Sequence, residues 1–192
     1  MFWLIIGLIL FLGVHSVRIF APDFRQGFIA NRGESAWKGL YTLISFAGLI
    51  LIIWGYSIAR YGPIVYDPPL WTRYITELLM LLAFISLAVS SVPAGKLKPA
   101  LKHPMLLSVK IWALAHLLAN GDLASLLLFG SFLVWAVVDR ISEKRRLKAG
   151  ITQPTQPGPV RNDVIAVIVG VVVYGLFIWK LHYWLIGVPV HA

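Results

Sequence analysis

Apolar residues fall along this chain in six blocks of near-membrane length, at about 2–20, 39–59, 70–92, 104–120, 123–138 and 164–186. An α-helix rises about 1.5 Å per residue and the hydrocarbon layer is about 30 Å thick, so about 20 apolar residues make one crossing. Breaker signals separate the blocks: Pro63 with Asp67-Pro68-Pro69, Pro93 with Gly95 and Pro99, and the turn Asn120-Gly121-Asp122. Pro104 suits the first turn of the fourth helix and Gly121 its C-terminal cap, while Asp163 can cap the last helix. The stretch 142–162 begins SEKRRLKAG, continues Pro-rich and has no apolar period, which predicts a mobile basic linker. The expected fold is therefore all-α, a polytopic membrane helical bundle of six transmembrane helices forming a single integral membrane domain over 1–192.

Charge orients the bundle. Loops one, three and five hold thirteen basic residues (Arg18, Arg25, Arg32, Lys38; Lys96, Lys98, Lys102; Arg140, Lys144, Arg145, Arg146, Lys148, Arg161), whereas loops two and four hold only Arg60 and Arg73. Basic loops stay cytoplasmic, so both termini are expected outside, an N-out/C-out arrangement. The first block lacks a basic n-region and a small-residue cleavage site, and reads as a retained helix rather than a signal peptide.

Composition agrees and narrows the chemistry. With 59% hydrophobic and 13% charged residues and a mean hydropathy of +0.81, the chain does not read as a soluble domain. Its formal charge of +9 points to the bilayer and its anionic lipids as partner, with no nucleic acid. The absence of Cys excludes disulfides, thiolate metal sites and thioether-linked haem. There is no P-loop, dinucleotide-binding glycine pattern or nucleophile elbow.

The candidate chemistry lies in polar residues inside apolar helices, because an ionisable group in hydrocarbon is costly and marks a functional site by default. The fourth span, HPMLLSVKIWALAHLLANGD over 103–122, carries the most. At about 100° per residue, Ser108, Trp112, His116 and Asn120 form one stripe, with His103 and Lys110 on another face. Helix rise places Glu77, His116, Asn120, His182 and Asp122 toward the outer side, and His15, Arg18, His103 and Lys110 toward the inner side. Several have plain structural readings. His103 before Pro104 anchors a helix start, Lys110 snorkels, Lys180 and Trp184 anchor the interface, and Glu77 pairs with Arg73 at i,i+4. His15, His116 and His182 are harder to dismiss, since neutral imidazole ligates haem iron, zinc or copper. Catalytic zinc would recruit a carboxylate such as Glu77 or Asp122. Haem needs only two His. As packing groups, the same His residues would leave a helical bundle that binds a partner or lipid.

The segments GVHSVRIF in the first helix, HPMLLSVKIWALAHLLANGD in the fourth and LHYWLIGVP near the end resemble the NnrU family of bacterial membrane proteins, over essentially the whole chain. The resemblance implies a multi-pass protein of the bacterial inner membrane associated with denitrification, needed for expression or function of nitrite and nitric oxide reductases. The family is related to plant zeta-carotene isomerase, a membrane enzyme with haem b, which implies haem b here and redox or cis–trans isomerase-like chemistry on an apolar small molecule. Carried over by motif, the isomerase's ligand histidines match His15 in GVHS and His116 in WALAHL, with His182 as the alternative ligand and Trp112 and Asn120 as cofactor neighbours. The depth estimate separates His15 from His116 by about half the bilayer. Either the haem lies nearly parallel to the membrane, one helix is shifted, or His182 is the partner. The other expectation is a non-enzymatic membrane factor that binds a denitrification protein or lipid for reductase maturation.

Overall fold

In the computed structural model, which describes residues 1–190, regular structure is helical and no strand occurs among the described residues. The helices are α1 (Phe2–Phe20), α2 (Pro22–Arg32), α3 (Glu34–Ala59), α4 (Thr72–Ser91), α5 (Leu97–Leu101), α6 (Pro104–Ala119), α7 (Leu123–Lys148), α8 (Val160–Leu176), a π-helical turn (Phe177–Leu181) and α9 (His182–Ile186). Five are long and apolar enough to cross a membrane: Phe2–Phe20, Glu34–Ala59, Thr72–Ser91, Leu123–Lys148 and the continuous Val160–Ile186. Helix α6, at 16 residues, is apolar but shorter, spanning about 24 Å at the usual rise. Residues such as Ile9, Leu43, Phe46, Ile53 and Val172 stand exposed along these helices. That pattern fits hydrocarbon rather than water as the surrounding solvent.

The chain groups into two compact units. The first comprises Met1–Asp67 with Asn120–Ser142. Its α1 and α3 run antiparallel, as the Trp3–Trp54 ring contact and the meeting of Gly7 with Gly48 and Ile52 require. The approach is close because glycines sit at the contact. A Cβ on Gly7 would come within 2.6 Å of the Ile52 nitrogen, one on Gly48 within 2.7 Å of the Phe11 nitrogen, and one on Gly55 would strike the Leu4 backbone. Without a hydrophobic drive between helices in lipid, such backbone approach is how they gain dispersion contacts. Helix α7 runs parallel to α1, bringing Phe132 to Phe11 and Trp135 to His15.

At the other end of this unit, the Leu123 N–H donates to the Pro63 carbonyl at 3.0 Å and the Val65 N–H to the Gly121 carbonyl at 2.8 Å. Gly121 does not adopt the left-handed backbone expected of a C-cap. It is glycine because a Cβ there would collide with the Tyr66 carbonyl. Asp122 caps α7, accepting the Ser125 N–H at 2.9 Å and the Ser125 hydroxyl at 2.6 Å. With the Ser125 proton so committed, the Tyr56 hydroxyl donates to Ser125 Oγ at 2.9 Å and ties α3 to α7.

The second unit comprises Pro68–Ala119 with Glu143–Ala192, of which residues up to 190 are described. Helix α4 packs against both α6 and α8. Ala88, Val89 and Ala166 form a small core with Ile85, Val92, Leu97 and Leu101 around it. The Thr76 hydroxyl donates to the Ala115 carbonyl at 3.0 Å, and the Tyr174 hydroxyl to the Glu77 carbonyl at 2.9 Å.

Two boundaries differ from the sequence reading. The fifth span, expected to end near 138, continues as helix to Lys148, because EKRRLK is built of good helix formers and Glu143 pairs with Arg146 one turn on. Asp163 does not cap its own helix, which begins at Val160 after Pro159. Its carboxylate accepts the backbone N–H groups of Lys96 (2.8 Å) and Leu97 (3.0 Å) and so caps α5.

Between α5 and α6 the backbone is strained. Lys102 sits at φ 64°, ψ −54°, and the His103 N–H donates to the Leu101 carbonyl at 2.7 Å. This is the γ-turn of the rare hand, which costs a non-glycine residue of order 1–3 kcal/mol. Lys102→Gly should therefore raise stability by about 1 kcal/mol after the glycine's extra unfolded-state entropy is subtracted. Thermal unfolding in detergent reads the effect, and a lowered midpoint would show that the lysine side chain holds the turn.

Candidate functional site

The three histidines share one local device. His15 on α1 is half-buried, and its Nδ1 lies 2.6 Å from the carbonyl oxygen of Phe11. His116 on α6 is also half-buried, with Nδ1 2.9 Å from the Trp112 carbonyl. His182 opens α9, and its Nδ1 lies 2.7 Å from the Val188 carbonyl. A carbonyl only accepts, so Nδ1 carries the proton in each case, and a neutral ring then has its lone pair on Nε2. Metal-bound histidines are held in this way, the non-ligating nitrogen donating to a backbone carbonyl or carboxylate.

For His15 and His116 the device follows from helix geometry. Each follows an aromatic residue by four positions, Phe11 and Trp112, so the ring leans back over the preceding turn toward that residue's carbonyl. The rings meet as well: His15 stacks on Phe11 at 4.2 Å between centroids, and His116 lies tilted against Trp112 at 5.4 Å. For His182 the carbonyl comes from beyond the helix. Gly187 adopts the left-handed conformation (φ 76°, ψ 15°) and turns the chain back, delivering Val188.

Around His15 the first unit builds an aromatic enclosure. Tyr41 lies 5.0 Å from its ring and Trp135 meets it edge-on at 5.9 Å. The Trp135 indole N–H is buried without a hydrogen-bond partner, a state that buried donors rarely tolerate. Asp139 is close enough to act on His15 electrostatically. In the second unit His182 is close enough to His116 for the two rings to act on each other electrostatically. The π-helical turn just before His182 is a feature often found beside functional sites.

Of the expected outer group, the second unit holds Glu77, His116 and His182 and the first holds Asn120 and Asp122. His116 and His182 belong to one unit, whereas Asn120 lies beyond the end of α6, in the other unit, with its carbonyl accepting the Tyr66 hydroxyl at 3.0 Å. Burial and the nearby Asp122 carboxylate push the Tyr66 phenol up. Glu77 shares the second unit with His116 and His182, but among the described residues no three His, Cys, Asp or Glu side chains gather as a metal site. The zinc arrangement of Glu77, His116 and His182 is therefore not formed. Asp122 is occupied as the α7 cap. Of the expected inner group, His15 and Arg18 lie in the first unit and His103 and Lys110 in the second.

Sequence reasoning missed Phe11, Tyr41 and Trp135 because aromatics in an apolar helix read as packing or belt. The spacing of an aromatic four residues before a histidine, present twice, was the available signal.

Compared with models of known families, the chain matches the one described as NnrU protein over residues 3–190. No curated protein and no solved structure matches it.

Proposed function

We propose, for a chain that belongs to the NnrU family over residues 3–190, a multi-pass protein of the bacterial inner membrane that binds haem b through intramembrane histidine and supports nitrite and nitric oxide reduction in denitrification. The observation that carries the haem reading is the shared fixing of Nδ1 at His15, His116 and His182 by a backbone carbonyl. The donor set fits the group. Neutral imidazole presenting Nε2 is a haem ligand, and the rings of Phe11, Tyr41 and Trp135 at His15 and of Trp112 at His116 provide the apolar contact a macrocycle needs.

His116 is the anchor of this reading; His182, its neighbour in the same unit, and His15, which the family motif carries, are the other histidines that would hold the group. Bound haem would supply one-electron redox chemistry or isomerase-like chemistry on a polyene double bond. The chain's own residues fix the imidazole tautomers, set aromatic rings against His15 and His116, and keep an unpaired N–H at Trp135 beside His15.

The test is the absorption spectrum of purified protein made with ample haem, oxidised and dithionite-reduced. Wild type should show a Soret band with resolved α and β bands when reduced, and His116→Ala should abolish or shift them. His15→Ala and His182→Ala then identify the second ligand, since only the true one changes the spectrum. A featureless wild-type spectrum would sink the haem reading and leave a helical factor that binds a partner or lipid for reductase maturation.

A further inference from the structure

The sequence between the first two spans reads as a loop, yet residues Pro22–Arg32 form the helix α2. It starts with Pro at the first helical position, one residue after the end of α1, and stops at Gly33 (φ 85°). One face packs on the start of α3. Phe28 meets Trp37 at 5.6 Å between centroids, and the Arg25 guanidinium lies 5.9 Å over the same ring. Trp37 is buried beneath them. On the flank of that face Phe24 is 62% exposed, and Phe20, at the end of α1, is 74% exposed. At about 100° per residue Phe24 and Gln26 point to nearly opposite sides, so α2 has a side bearing Phe24, with Asn31 beside it, and an opposite side bearing Asp23 and Gln26.

We infer that α2 is an in-plane interfacial helix that seats its Phe side in the headgroup layer of an anionic phospholipid leaflet. Three observations converge on that occupant. The helix is continuous with the end of a membrane-length span, so its depth is that of the interface. Two large aromatic rings are exposed where water would otherwise meet them. The local charge is also complementary: along α2 and the start of α3, Arg25, Arg32 and Lys38 stand with Asp23 and Glu34, and Glu34 is paired with Lys38 at 2.9 Å. Basic groups at this depth gain from an anionic surface, and Trp37 holds Arg25 so that the helix presents its side as one body.

The natural chain has no Cys, so one substitution places one label. Phe24→Cys and, on the opposite side, Gln26→Cys are labelled with an environment-sensitive fluorophore in the full-length protein. Each is reconstituted in vesicles of phosphatidylcholine alone or phosphatidylcholine mixed with phosphatidylglycerol. The label at position 24 should show iodide quenching at least about threefold weaker than that at 26, and strong quenching by a headgroup-level lipid quencher. Phosphatidylglycerol should deepen the difference, and Arg25→Gln with Arg32→Gln should remove at least about half of that dependence. Equal iodide access at 24 and 26 overturns the interfacial placement. Protection at 24 that ignores phosphatidylglycerol and the arginine changes overturns the anionic occupant. If Phe24→Cys does not fold, Phe20→Cys carries the same comparison. None of these readouts involves haem.

Discussion

Gly7→Ala should destabilise the protein by about 2 kcal/mol, while Gly13→Ala on the same helix leaves it unchanged or firmer by up to about 1 kcal/mol. At Gly7 a Cβ would sit 2.6 Å from the Ile52 nitrogen and 2.9 Å from the Gly48 carbonyl oxygen. These are backbone atoms of a rigid helix, so the only relief is to push α1 and α3 apart. That separation also loosens the contacts of Gly48 and Gly55, and the cost extends beyond the single methyl. At Gly13 nothing lies within 4 Å of the added carbon, so the alanine only gains helix propensity. Thermal unfolding in detergent, followed by circular dichroism, checks both variants. Equal midpoints would mean that α1 and α3 are not in direct backbone contact.

Asp163→Ala should be the second large loss, about 3 kcal/mol. The carboxylate is buried and takes the N–H groups of Lys96 and Leu97. Its removal leaves both donors without a partner, at about 1–3 kcal/mol each, in part regained from water. The surroundings have been shaped to it. A Cβ at Gly95 would collide with the same carboxylate, a Cβ at Gly158 with the Ala94 carbonyl, and the Asn162 side chain donates to that carbonyl at 2.9 Å. Gly95→Ala should therefore reproduce most of the loss, and Asp163→Asn, which keeps one acceptor oxygen, roughly half of it. Limited proteolysis across 149–159 should accelerate in the same order. A loss no greater than that of the exposed Asp67→Ala would show the cap to be idle.

The helical class and most crossings were legible because a membrane imposes a length and a composition on any helix it surrounds. The first two spans, the third and the last appear in the structure close to where hydropathy places them. The family was legible too, because its motifs fall on residues that keep their identity whatever the packing, and the family match covers residues 3–190. The three histidines were legible as ionisable residues in apolar blocks, where their cost alone singles them out.

Tertiary structure decided the rest, because it depends on residues distant in sequence meeting at particular atoms. Asp163 reads as a local cap, but it caps a turn 66 residues earlier, since two backbone donors at Lys96 and Leu97 face it there. Gly121 reads as a helix stop, yet its lack of a side chain serves the Tyr66 carbonyl. Residues 22–32 carry too weak an apolar period to declare a helix, and Trp37 supplies the surface against which they form one. Hydropathy is a property of each residue alone and survives any arrangement of the helices. Which nitrogen of a histidine holds the proton, or which carboxylate meets which N–H, is a property of pairs, and the fold alone brings those pairs together.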